Sequence, residues 1–173
     1  MLADMSTAPH GSLDEPSPLS HLAHLSHLPA GTDETLLEIR YGETDQMGYA
    51  HHSTAVLWFE YGRVHWLRKR GLKYRDLEAA GILLPVIELS IKYHAPGRFE
   101  DQIAIRTTLV ELSRAQVRFE TRILRCEADG SRTLLVTGSA GLVCIDRNGK
   151  IQRVPAEFVR LWEQSGGAGV AAG

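Results

Sequence analysis

Hydrophobic and polar residues follow two different periods along this chain. Between residues 52 and 70 the apolar positions recur at intervals of three and four residues, which predicts a long amphipathic helix. These positions are Ala55, Trp58, Phe59, Gly62 and Trp66. Basic residues fill positions 68–70 and Gly71 follows, as expected for the last turn and the left-handed end of a helix.

A period of two dominates the rest of the chain. Apolar and polar residues alternate in three long segments after the helix, and a fourth segment is apolar and small on both faces. Together with a short apolar run before the helix, the predicted strands are 35–41, 86–93, 102–112, 115–125 and 133–145. Shorter helices are predicted at residues 73–80 and near residues 156–164.

A helix with a broad apolar face, followed by several long strands, restricts the possible architectures. The helix can bury its apolar stripe only by lying across the concave side of a curved antiparallel sheet. We therefore predict an α+β fold in which a long central helix is wrapped by the sheet.

The two ends of the chain differ in composition from the segment between them. Residues 1–33 are rich in His, Ser and Pro, and residues 165–173 are rich in Gly and Ala. Such segments bury too little apolar surface to offset the entropy of ordering. We predict two disordered tails around a single domain at residues 34–164.

Histidine and cysteine usage gives little support for metal or disulfide chemistry. His21, His24 and His27 recur at every third position, so their imidazoles could chelate a transition metal, and the same spacing fits a short helix. Because Cys and carboxylate partners at ligand spacing are missing, we predict no metal site. Cys126 and Cys144 lie at opposite ends of a predicted hairpin, about 33 Å apart at the usual strand rise, which excludes a disulfide between them.

Composition also limits the possible partners. The 173 residues carry a formal net charge of −2 and give a sequence pI of about 6.4, which is not the basic footprint of a nucleic-acid-binding protein. No apolar run reaches the roughly 18 residues that span a bilayer, and no signal peptide is recognisable at the N-terminus. We predict a cytoplasmic protein that neither binds nucleic acid nor inserts into membranes.

The candidate for chemistry is Asp45, which lies between the first strand and the long helix. It is followed by a Gly-containing turn, and the next carboxylate along the chain is Glu60. The first amide groups of a helix lack partners within the helix and favour negative charge. We expect amides near Gly48, Tyr49, Ala50 and His51 to stabilise an anion while Asp45 acts as base or nucleophile. Asp in such a turn is also a common capping residue.

Three motifs together resemble a known family. They are the acid-turn-Gly-x-x-His-His segment at residues 45–52, the Trp-Phe-Glu-x-x-Arg segment at 58–63, and Lys-Tyr-x-x-Pro-x-x-x-x-Asp at 92–101. Residues 35–163 resemble the hotdog-fold acyl-CoA thioesterases of the 4-hydroxybenzoyl-CoA thioesterase and YbgC type. This resemblance implies five or six strands around the helix, an acyl-CoA substrate, a homodimer or homotetramer with the active site at the dimer interface, and no cofactor.

The resemblance also assigns roles to individual residues. The family's catalytic acid matches Asp45, its turn glycine Gly48 and its histidine His52, and the amide that polarises the thioester carbonyl falls around His51 and His52. Residues implied to bind the CoA phosphates are Ser113, Arg114, Gln116 and, in the preceding turn, Arg98. The family usually has Val where this chain has Ala50 and an aromatic residue where it has Ala55, so the acyl pocket is expected to be wider here.

Two other functions are compatible with the same fold. Hotdog dehydratases act on 3-hydroxyacyl thioesters with a His and an acid. A hotdog protein can also bind acyl-CoA without turning it over. Hydrolysis is favoured, because a pure binding protein has no need for a carboxylate beside a cluster of amides.

Overall fold

A computed structural model describes residues 28–166 as a helix wrapped by a five-stranded antiparallel sheet. In chain order the elements are β1 (Thr32–Glu38), α1 (Thr54–Lys69), α2 (Tyr74–Ala79), β2 (Val86–Tyr93), β3 (Gln102–Leu112), β4 (Gln116–Cys126), β5 (Arg132–Val143) and α3 (Ala156–Gln164). A 3-10 turn at Tyr41–Glu43 follows β1. Within the sheet the strand order is β1-β3-β4-β5-β2.

The predicted α+β architecture is confirmed, with five strands. The long helix predicted at residues 52–70 is α1, which begins at Thr54. The first strand lies earlier than predicted, because β1 begins at Thr32 and ends at Glu38. The chain therefore joins the sheet two residues before the predicted start of the domain at residue 34.

Strands β3, β4 and β5 form a continuous antiparallel meander at the centre of the sheet. Ile105 pairs with Ile123 and Thr121 pairs with Gly138, so neighbouring positions of the three strands share one face. Cys126 pairs with Arg132 beside the hairpin turn, while Cys144 follows the far end of β5. Both cysteines are free, and burial raises the pKa of each thiol.

Helix α1 lies across the inner face of the sheet and divides the core into two parts. Around its second half, Trp66 and Leu67 pack with Phe119, Phe158 and other apolar residues of β3, β4, β5 and α3. Around its first half is a second group, which we call the N-terminal core cluster. Its buried members are Ile39, Ala55, Trp58, Phe59, Ile103, Ile105, Ile123, Leu135 and Val136.

The two edges of the sheet differ in exposure. Strand β1 lies at one edge and β2 at the other. On β2 the side chains of Val86, Ile87, Leu89 and Tyr93 are 39–55% exposed. An apolar strand edge with unpaired backbone groups is a template for pairing with another chain.

Several features named in the sequence analysis fall outside the described residues. They are the three histidines at positions 21, 24 and 27 and most of both predicted tails. Within residues 28–166, no helix is long and apolar enough to cross a bilayer. The same part of the chain contains no group of three or more His, Cys, Asp or Glu side chains that is arranged to hold a metal ion.

Gly138 on β5 is tightly packed against both α1 and the neighbouring strand β2. A Cβ atom at this position would overlap the backbone oxygen of Ser90 and lie 2.7 Å from Cε2 of Phe59. Because neither group can move without disturbing the strand pairing or the core, we expect Gly138→Ala to lower the free energy of unfolding by about 2 kcal/mol or more, measured by urea denaturation.

The matched control is Gly141→Ala on the same strand. A Cβ at Gly141 would lie 3.5 Å from the Cβ of Glu88, which is an ordinary van der Waals contact. Its free energy of unfolding should therefore stay within about 0.5 kcal/mol of wild type. Equal stability of the two variants would contradict the proposed packing.

Candidate active site

Asp45 is fixed at the start of a tight turn. Its Oδ1 accepts a hydrogen bond of 2.8 Å from the amide of Met47. The backbone closes the turn through Gly48 N to Asp45 O at 2.9 Å and Asp45 N to Tyr49 O at 3.0 Å. Gly48 has a φ of 73°, a conformation that glycine adopts without strain. Among residues 28–166 no donor contacts Oδ2, so one carboxylate oxygen is held and the other is available.

The same turn occurs a second time in the chain. Asp146 accepts a bond of 2.8 Å at Oδ1 from the amide of Asn148, and its backbone bonds with Gly149 and Lys150 repeat those around Asp45. The turn is therefore an ordinary structural unit, as the capping interpretation of Asp45 predicts. The two turns differ in one bond, because the amide of Lys150 also donates to Asp146 Oδ1 at 2.9 Å, whereas among residues 28–166 the equivalent amide of Tyr49 has no acceptor. They also differ in their surroundings.

Those surroundings include a cleft of about 360 Å³ beside Asp45. Polar groups on its wall come from Asp45, Tyr49, His51, His52, Tyr93 and His94. Its apolar lining includes Met47, Ala50, Ala55, Trp58, Leu135 and Val136. The last four of these residues are at most 4% exposed and belong to the N-terminal core cluster, so the closed side of the cleft is the surface of the core itself.

Glu43 attaches the loop that carries Asp45 to the rest of the fold. Its backbone oxygen accepts the amide of His51 at 2.8 Å and the hydroxyl of Thr54 at 3.2 Å. Its carboxylate accepts the backbone amide and the guanidinium of Arg40, each at 2.8 Å. Burial alone would raise the pKa of Glu43, but the hydrogen bonds from Arg40 outweigh it and the pKa is lowered.

The amides near Asp45 are used differently from the prediction. The turn does not lead directly into the helix, because α1 begins only at Thr54. The amide of Gly48 is used within the turn, that of Ala50 donates to Gly97 O at 2.8 Å, and that of His51 donates to Glu43 O. These three amides already have acceptors within the fold. Among residues 28–166, the amides of Tyr49 and His52 have no acceptor, and both residues line the cleft.

Three histidines border the cleft. The rings of His51 and His52 lie 4.1 Å apart, and Nδ1 of His51 is 2.7 Å from the hydroxyl of Ser53. His94 contacts the hydroxyl of Thr137 through Nε2 at 2.8 Å. The hydroxyl of Tyr93 donates to the backbone oxygen of His52 at 2.6 Å, which connects the end of β2 to the segment before α1.

Sequence reasoning does not single out Tyr93 or His94 as site residues. Both are about 50 positions from Asp45 in the chain, and their alternating pattern indicates only a strand end. The sequence feature that could have indicated them is Pro96-Gly97, which ends the alternating pattern of β2. Gly97 O accepts the amide of Ala50, and this bond holds the segment after β2 beside the segment that contains Asp45.

The predicted CoA-binding residues separate into two places. Arg98 lies beside the cleft, with its guanidinium 4.9 Å from the centre of the Tyr49 ring. Ser113 and Arg114 lie in the turn between β3 and β4, and with Gln116, the first residue of β4, they line a different cleft of about 630 Å³. Gln116 pairs with Val143, which is seven residues from Val136 along β5, or about 23 Å.

Comparison with known proteins supports a common origin with thioesterases. Residues 39–161 match the sequence model of the thioesterase-like superfamily. A Synechocystis protein, named provisionally as an esterase, is 33% identical and the match covers 86% of this chain and 91% of the relative. The acyl-CoA thioester hydrolase YbgC of Escherichia coli is 27% identical over 64% of this chain and 79% of its own length.

A solved structure agrees with these sequence matches. The DHNA-CoA thioesterase of Staphylococcus aureus is 30% identical and superimposes with a TM-score of 0.68. The superposition covers 78% of this chain and 87% of the other. The strand order and the long helix described above are therefore those of a thioesterase fold.

The role of Glu43 can be tested through the pH dependence of stability. A carboxylate with a lowered pKa stabilises the fold above its unfolded pKa, near 4.3, and this contribution is lost as the pH falls through the folded pKa. We expect Glu43→Gln to be less stable than wild type at pH 7, and the difference to shrink below about pH 4.3. Urea denaturation between pH 3 and pH 7 measures both.

The control for this experiment is Glu157→Gln. Glu157 also pairs with an arginine three residues away, Arg160, but both side chains are more than half exposed. An exposed pair of this kind contributes little, so Glu157→Gln should match wild type within about 0.5 kcal/mol. A deficit of Glu43→Gln that stays constant with pH would contradict the role of the charge.

Proposed function

The chain belongs to the thioesterase-like superfamily and is a thioester hydrolase, and from this premise we propose that it hydrolyses an acyl-CoA with Asp45 as the reacting carboxylate. The single observation that carries the role of Asp45 is its geometry. Met47 fixes one carboxylate oxygen, and the other has no donor among residues 28–166 and lies beside a cleft whose inner wall is apolar.

Asp45 can promote hydrolysis in two ways. As a nucleophile, it attacks the thioester carbon and expels the CoA thiolate, and water then cleaves the resulting mixed anhydride. As a general base, it takes a proton from a water molecule that attacks the same carbon directly. Both routes yield a free carboxylic acid and CoA. Both also generate negative charge on the carbonyl oxygen, which requires a hydrogen-bond donor.

The amide of His52 is the donor that we propose for this oxygen. It has no acceptor among residues 28–166, and the residue lines the cleft with Asp45. The backbone of His52 is held in place by the hydroxyl of Tyr93, which donates to its carbonyl oxygen. A donor that is fixed before the reaction requires no reorganisation in the transition state. We keep the imidazole of His52 as a candidate contact to the substrate, since it lines the same cleft.

A homodimer formed through β2 is part of this proposal. Tyr93 lies at the end of the exposed edge strand and also lines the cleft, so a second copy that pairs with β2 would border the site. Antiparallel pairing of two β2 strands brings Val86 of one copy opposite Tyr93 of the other. Within each copy Val86 pairs with Leu142, and the next residue of β5, Val143, pairs with Gln116. Val86 therefore lies near the β3–β4 turn, and the arrangement brings that turn of the second copy towards the cleft.

This arrangement gives both groups of predicted CoA-binding residues a place. Arg98 contributes a cation from the same protomer, whereas Ser113, Arg114 and Gln116 contribute from the second copy. Guanidinium groups bind phosphate oxygens in a two-pronged geometry that suits the CoA phosphates. A homotetramer of two such dimers and a cytoplasmic location stay predictions.

Replacing the carboxylate tests the mechanism. Asp45→Asn keeps an oxygen for the Met47 amide but removes the charge, so we expect a folded protein whose kcat for acyl-CoA hydrolysis is about 10²–10⁴-fold lower. Thiol release from a panel of acyl-CoA substrates is the measurement. The control is Asp146→Asn, which alters the same turn away from the cleft and should keep wild-type turnover.

Two results would overturn the proposed mechanism. One is wild-type turnover by Asp45→Asn. The other is loss of an enoyl-CoA absorbance without release of thiol, which would identify a dehydratase. Tight binding of acyl-CoA with no turnover of any substrate would instead identify a binding protein.

A charge on the edge strand tests the dimer. Ile87 on β2 is 55% exposed, and we expect Ile87→Lys to convert the dimer to monomers and to lower thiol release at least tenfold, because the second copy no longer borders the cleft. Sedimentation and the thiol assay measure these effects. The control is Leu36→Lys on the other edge strand, where the side chain is 47% exposed. Retention of the dimer by Ile87→Lys would contradict pairing through β2.

A further inference from the structure

The inner wall of the cleft consists of one small side chain and three larger ones. Ala55 lies in the first turn of α1, is 2% exposed and lines the cleft together with Trp58, Leu135 and Val136. The three larger residues are part of the N-terminal core cluster, in which interior packing resists displacement. Ala55 is the smallest side chain on this wall.

Asp45 determines which part of a bound thioester meets that wall. The residue lines two clefts, the one described above and another that contains Tyr41, Gln46 and Phe99. Tyr41 and Phe99 are 78% and 46% exposed, so the second cleft opens to solvent. A thioester carbonyl at Asp45 therefore has a wall of buried apolar residues on one side. The acyl group is the apolar portion of the substrate, so its transfer from water to this apolar wall is favourable.

We infer that Ala55 sets the size of the acyl group that this enzyme accepts, and that the preferred substrates carry an apolar acyl chain whose far end reaches the first turn of α1. This inference rests on the proposed acyl-CoA hydrolysis. The backbone of Ala55 is fixed because Thr54, its neighbour, bonds to Glu43 through its hydroxyl and to His51 through its amide. A change of side chain at position 55 therefore changes the depth of the cleft.

The effect of such a wall on kcat/KM changes gradually with the length of the acyl chain. An acyl chain that is one methylene too long for an apolar pocket lowers kcat/KM about tenfold or more, because the extra methylene must either displace packed atoms or remain in water. Gly, Ala, Val and Leu at position 55 form a series of increasing volume. Their acyl-chain optima should fall in the same order, with Leu shortening the preferred chain by about three carbons, the number that it adds to the wall.

The experiment measures kcat/KM for straight-chain acyl-CoA substrates of increasing length. We expect Ala55→Gly to prefer longer chains than wild type, and Ala55→Val and Ala55→Leu to prefer progressively shorter ones. The control is Val56→Leu, because Val56 is the next residue on the helix, is 40% exposed and does not line the cleft. Thermal unfolding identifies variants that are not folded. If Ala55→Leu does not fold, Ala55→Gly and Ala55→Val still test the effect of a smaller and of a larger side chain.

A second readout separates this inference from the proposed function. S-alkyl-CoA thioethers resemble the substrate but cannot be hydrolysed, and calorimetry gives their affinity as a function of chain length. The same order of optima for Gly, Ala and Val in binding supports the inference even if no acyl-CoA is turned over. Unchanged optima, or a loss of equal factor at every chain length, would overturn it.

Discussion

The backbone oxygen of Glu43 is the constraint on which the site depends. It accepts the amide of His51 and the hydroxyl of Thr54, so a single carbonyl joins the end of β1 to the beginning of α1. The segment between them contains Asp45 and is also attached through Ala50 to Gly97 and through His52 to Tyr93. Because α1 is fixed by the core and β1 by the sheet, this connection transfers the rigidity of both to a loop. A reactive carboxylate requires such rigidity.

Local sequence signals predicted the elements well. The helix at 52–70 was recognisable because its apolar period, its basic last turn and Gly71 all agree, and α1 is Thr54–Lys69. Strands β2 and β3 begin and end at the predicted residues, since their alternation persists to Pro96 in one case and to the turn before β4 in the other. The first strand was displaced, because a short apolar run gives no clear boundary.

The candidate site was predictable only in part. Asp45 was identified from its position between a strand and a helix, but the use of the neighbouring amides depends on contacts that are distant in sequence. The amide of Ala50 donates to Gly97, almost fifty residues away, and no periodicity records such a bond. The turns at Asp45 and Asp146 make the same point. Their backbone closure is alike, but the amide of Lys150 bonds to Asp146 Oδ1, whereas the equivalent amide of Tyr49 has no acceptor among residues 28–166. Only Asp45 lies beside the cleft, and this depends on tertiary position.

The two cysteines have a practical consequence for anyone who studies this enzyme. A thiolate is the form that reacts with a disulfide dye, and burial keeps both Cys126 and Cys144 protonated to higher pH than a free thiol. The chain itself should consume such a reagent slowly near neutral pH. Colour that develops in the presence of substrate then reports coenzyme rather than protein, so even a slow variant can be followed against a low background.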